Sequence, residues 1–111
     1  MKFGLKDEIY KKIVKIAEDN NKYKFKIFGS RARGDYRENS DIDIAVFENL
    51  NKEDEYKIRN EIDLLDIIYK IDLVFIDKKT KAELVKEIRK EGVDLIWKDL
   101  KKEKQIIIKQ Y

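Results

Sequence analysis

The chain has 111 residues, 42% of them hydrophobic and 11% aromatic, which is enough for one modest core and leaves little room for a second domain. Charged residues reach 44%, with 26 basic against 23 acidic and a net charge of +3, a balance that argues against nucleic acid as a direct partner. Cysteine, histidine and proline are absent, so disulfides, the usual zinc sites and Ser-His or Cys-His nucleophiles are excluded, and any metal would be a hard cation held by carboxylates.

In chain order, DEIYKKIVKIAEDN (7–20) places Ile9, Ile13, Ile16 and Ala17 at helical spacing with acidic residues early. Tyr23, Phe25 and Ile27 then alternate with lysines and predict a half-buried strand ending at Gly29. Ser30 is placed to cap a short helix over Arg31–Arg33, Gly34 to end it, and 35–40 reads as loop. A second strand is expected over Asp41–Phe47, with Ile42, Ile44 and Val46 on one face and Asp41, Asp43 and Ala45 on the other. Ile58, Ile62, Leu65 and Tyr69 predict a helix over 53–69, IDLVFID (71–77) a third strand, and Leu84, Val85 and Ile88 a helix over 80–90 that stops at Gly92. VDLIW (93–97) suits a last short strand. The expected fold class is α+β (α/β), a small mixed sheet with helices packed on it. Residues 1–97 would form the domain, and 98–111 a tail packed on it or on a partner.

No apolar run approaches the roughly 20 residues that span a bilayer, and no signal-peptide pattern opens the chain, so the sequence reads as soluble and cytoplasmic with no membrane partner.

The chemistry gathers around FGSRARGDYRENSDID (28–43). Asp41 and Asp43, two apart on a strand, would point to one face about 6.6 Å apart along it. Two such carboxylates repel, and a divalent cation is their natural partner; a charged strand edge that blocks aggregation is the plain alternative. Asp72 lies between Ile71 and Leu73 in an apolar run, read as a central strand, where a carboxylate is costly unless paired or metal-bound. Beside the second strand it would complete a triad; otherwise it merely begins its own strand near Lys70. Asp77, five residues on, would face the opposite way. Gly29 would let the backbone approach a ligand, and the turn from Ser30 would offer free N–H groups to an anion, with only one of Arg31 and Arg33 facing it.

This pattern of Gly29-Ser30, a ten-residue spacer, Asp41-Ile42-Asp43 and a later Asp72 resembles the active-site signature of the DNA polymerase β-like nucleotidyltransferases. The flanking residues are similar to the minimal nucleotidyltransferase (MNT) branch, whose members are antitoxins of HEPN ribonuclease toxins. The resemblance implies that Asp41 and Asp43 would ligate two Mg²⁺ ions. Asp72 would complete the metal site and assist deprotonation of an attacking hydroxyl. Gly29 and Ser30 would hold the triphosphate of ATP, with Arg31 or Arg33 as helper. It further implies transfer of AMP to a tyrosine of a cognate HEPN toxin, with release of pyrophosphate. The alternatives are a non-catalytic antitoxin that occludes its toxin, and nucleotidyl transfer to a small molecule or RNA. Leu100 and Ile106–Ile108 are apolar enough to cover a partner or a second copy, though packing on this domain is the plainer reading.

Overall fold

In the computed structural model, which describes residues 2–95, helices and strands alternate in the expected order. They are α1 (Asp7–Asp19), β1 (Lys24–Phe28), α2 (Gly29–Arg33), β2 (Ile42–Phe47), α3 (Lys52–Asp63), β3 (Ile71–Phe75), α4 (Ala82–Glu91) and β4 (Val93–Asp94). The strands form one mixed sheet in the order β3-β2-β1-β4, with β2 antiparallel to β1 and parallel to β3, and β1 antiparallel to β4. The expected tail, 98–111, lies outside the described residues.

The period-2 pattern of β2 is realised on both faces. Ile42, Ile44 and Val46 enter a large core with Tyr10, Ile13, Val14 and Ala17 of α1 and Ile58 and Ile62 of α3. Ala45 and Phe47, on the opposite face, enter a smaller cluster with Ile76 and Ile88, against which Phe28, Val74, Leu84 and Val85 pack. A strand buried on both sides cannot easily shift register, because a one-residue slip would exchange its two faces. β2 is therefore the rigid element on which a site can be built.

Three expectations are corrected. Helix α3 ends at Asp63 rather than at residue 69. Its cap is Leu64, Leu65 N–H turns back to Ile62 O at 3.1 Å, and the following residues lead the chain into β3. The Leu65 and Tyr69 that extended the helical pattern still pack on the large core, but from a loop. Strand β3 stops at Phe75 and is an edge of the described sheet, not a central strand. Asp77 then closes a turn, its Oδ1 accepting from Lys79 N–H and Thr80 N–H at 2.8 and 3.1 Å. Finally, Ser30 is not the cap of α2: the helix begins at Gly29, after Phe28 in extended conformation, and makes no side-chain cap bond. Gly34 ends α2 in the left-handed conformation, as expected of a C-terminal glycine.

Candidate active site

The site lies where β1 runs into α2 and where β2 and β3 begin. Phe28 is the register partner of Asp43, and Asp43 is the register partner of Asp72. In-register residues of adjacent strands present their side chains on the same face, so the topology brings Asp43 and Asp72 side by side. This is the face of Ala45 and Val74, the smaller cluster, at its open end. Asp41 precedes the first strand residue and is exposed, so the ladder of β2 does not place it.

Gly29 stands against this group. Its φ is +73°, in the left-handed region, and a Cβ there would run into the Asp43 carboxylate. The left-handed backbone favours glycine where the chain passes from β1 to the carboxylates, and any side chain there would force the Asp43 carboxylate to shift.

The electrostatics agree with the geometry. Burial, then the charges of Asp72 and Asp41, push the Asp43 carboxyl above its ordinary value, and Arg33 pulls it back. Asp72 is less buried than the sequence suggests: its side chain is 43% exposed and Oδ1 lies 3.4 Å from Lys70 Nζ. Asp72 lies near the start of an edge strand, next to Lys70, and stands beside Asp43. Among the described residues no three acidic groups are already gathered into a metal cage. The donor set nevertheless fits a hard cation: all-oxygen, with like charges whose mutual repulsion is visible at Asp43.

The two arginines of α2 diverge. Arg33 reaches Asp35 through Nε at 3.1 Å and Glu91 at the end of α4 through Nη1 at 3.0 Å. Its charge is felt at Asp43, and among the described residues its Nη2 makes no hydrogen bond. Arg31 is 2% exposed and donates to three backbone carbonyls, those of Phe3, Glu38 and Ser40. The expectation of Arg31 as a helper at the triphosphate is corrected by this placement, because a guanidinium so enclosed has no face for a ligand. Sequence reasoning did not find Glu91 or Asp35. Only the packing of α4 on α2 brings Glu91 to Arg33, and no local pattern announces it.

The mixed sheet, with acidic side chains beside the Gly29-Ser30 start of α2, is shared with a class of nucleotidyl-transferring enzymes. The chain belongs to the family described as Polymerase beta, Nucleotidyltransferase, whose sequence model matches residues 11–101. Comparison with curated proteins gives no match. Among solved structures, the chain is similar to one from a toxin–antitoxin crystallised with AMP-PNP, at 26% identity and a TM-score of 0.59, covering 91% of this chain and 96% of that one. It is also similar to a candidate nucleotidyltransferase from Sulfolobus solfataricus, at 28% identity and a TM-score of 0.50, covering 78% of each chain. A complex of the tri-AMPylated Shewanella oneidensis HEPN toxin with an MNT antitoxin shares the fold at 24% identity and a TM-score of 0.53, covering 91% and 93%. The resemblance to the polymerase β-like nucleotidyltransferases is borne out by the family match, and the likeness to a toxin–antitoxin structure agrees with the narrower resemblance. Among the described residues no helix is long and apolar enough to cross a membrane.

Proposed function

We propose that the chain is an antitoxin adenylyltransferase that moves AMP from ATP to a tyrosine hydroxyl of a cognate HEPN ribonuclease toxin. The observation that carries this reading is the registered pair Asp43 and Asp72 beside Gly29. The likeness to a toxin–antitoxin holding an ATP analogue supports the nucleotide, and the AMPylated toxin of the Shewanella complex supports the acceptor.

Asp41, Asp43 and Asp72 would hold Mg²⁺, which when bound supplies positive charge against the triphosphate. Gly29 leaves room for the phosphates to approach the chain, and Ser30 offers a hydroxyl on the next residue. Arg33, whose charge acts on Asp43, adds positive charge near the same pole. Asp72, whose side chain is 43% exposed, takes the proton of the attacking hydroxyl. The tyrosine oxygen forms a bond to the α-phosphorus, the bond from that phosphorus to the bridging oxygen breaks, and pyrophosphate leaves.

Incubation with the toxin, ATP and Mg²⁺ should raise the toxin's intact mass by one or more AMP units, and Asp41→Asn/Asp43→Asn should abolish the gain. A folded cognate toxin that gains no mass contradicts the reading. The exposed Leu64 and Ile68 on the loop before β3 favour a second reading, occlusion of the toxin by binding alone. Toxin neutralisation by the same double variant would select it.

A further inference from the structure

The placement of Asp41 poses a problem that the sheet does not solve. It lies outside β2 and is exposed, so no ladder bond holds it, yet the proposed site needs its carboxylate beside Asp43. Both flanking residues are tied down. After it, Ile42 N–H donates to Lys70 O at 2.9 Å, joining the entries of β2 and β3. Before it, Ser40 O accepts from both Nε and Nη2 of Arg31, at 3.1 and 2.8 Å.

The second tie is unusual in what it costs. Arg31 is a full guanidinium at 2% exposure, and among the described residues its side-chain hydrogen bonds all go to backbone carbonyls. Its Cζ lies over the rings of Tyr69 and Tyr36, 4.6 and 5.2 Å from their centroids. Apolar residues would usually fill such a volume at lower cost, because a charge taken from water must be compensated group by group. The grip extends further: Nη1 donates to Phe3 O at 2.9 Å, and Gly4 packs so closely on the Tyr36 ring that no Cβ would fit. The N-terminal turn, the loop 35–40 and the loop before β3 therefore converge on one side chain.

We infer that Arg31 is a positioning residue, which grips the Ser40 carbonyl to hold Asp41 at the metal-binding pole. It contacts neither nucleotide nor acceptor. The inference rests on the reading of Asp41 as a metal ligand, and the test separates the two.

Arg31→Lys keeps the charge but loses the fork that donates from two nitrogens to Ser40 O and from a third to Phe3 O. Three measurements on wild type and variant decide the matter: amide hydrogen exchange, Mg²⁺ affinity in the presence of AMP-PNP, and AMP-PNP affinity without metal. In the variant, exchange at Ser40 and Ile42 should quicken while α1 stays protected. Mg²⁺ affinity should fall about 10-fold, as when a group supporting a metal ligand is lost. Metal-free AMP-PNP affinity should not change. If Arg31→Lys does not fold, Tyr36→Ala removes one of the two rings beside the guanidinium from an exposed position and should shift both readouts the same way, by less. Unchanged Mg²⁺ affinity in the folded variant overturns the role of Arg31. So does a loss of metal-free AMP-PNP affinity with exchange unaltered, which would make Arg31 a phosphate ligand. A wild-type protein that binds no Mg²⁺ with AMP-PNP overturns the metal-site reading itself.

Discussion

The two faces of the sheet are built to different ends. The face toward α1 and α3 takes Phe25, Ile27, Ile42, Ile44 and Val46 into a large apolar core. The face toward α4 has a smaller cluster, and beside it stand Lys26, Asp43, Asp72 and Asp94. The first face stabilises the fold; the second exposes charge at one end of rigid strands. Stability and chemistry are thus divided across β2, one residue alternating with the next.

Substitutions can break this division in a definite order of size. Ile44→Ala empties a fully buried position on the first face and should cost about 2–5 kcal/mol in denaturant unfolding, with any loss of activity following the loss of folded protein. Gly29→Ala acts on the second face. The left-handed backbone alone costs about 1–2 kcal/mol, and the methyl group displaces Asp43, so nucleotidyl transfer should be lost while the protein remains folded. Asn51→Ala removes the side chain that accepts Asp54 N–H at 2.8 Å and caps α3. It should cost about 1 kcal/mol and leave transfer unchanged, since α3 serves the first face.

The smallest effect has the opposite sign. Asp43 is raised above its ordinary value, so its ionised form is disfavoured by folding. The penalty is present above the raised value and is relieved as pH falls through it toward the ordinary one. Asp43→Asn should therefore raise the melting temperature at neutral pH and abolish transfer, and its advantage over wild type should shrink on acidification. A variant less stable than wild type at neutral pH would show that the carboxylates are already compensated.

Much of this division is legible in sequence. The alternation of Ile42, Ile44 and Val46 with Asp41, Asp43 and Ala45 predicts both faces of β2, and the structure differs only in leaving Asp41 ahead of the strand. What local pattern misses is whatever the chain's path decides. The apolar spacing of Leu65 and Tyr69 continues a helix on paper, but the loop that feeds β3 uses the same side chains against the same core. Apolar neighbours make Asp72 look buried, whereas an edge strand leaves it half-open. Arg31 and Arg33 are equivalent in a string of letters, and only the positions of Ser40, Phe3 and Glu91, each distant or across a turn, send one inward and the other to the site.

The central claim is that the charged end of the second face receives the nucleotide. Backbone amide shift mapping with AMP-PNP and Mg²⁺ tests it most directly. The account predicts that the largest shifts fall at Gly29, Ser30, Arg33, Asp41, Asp43 and Asp72, and vanish in Asp43→Asn. Shifts centred instead on the groove lined by Lys6, Lys12, Asp66 and Tyr69, with those residues of the sheet undisturbed, would contradict it.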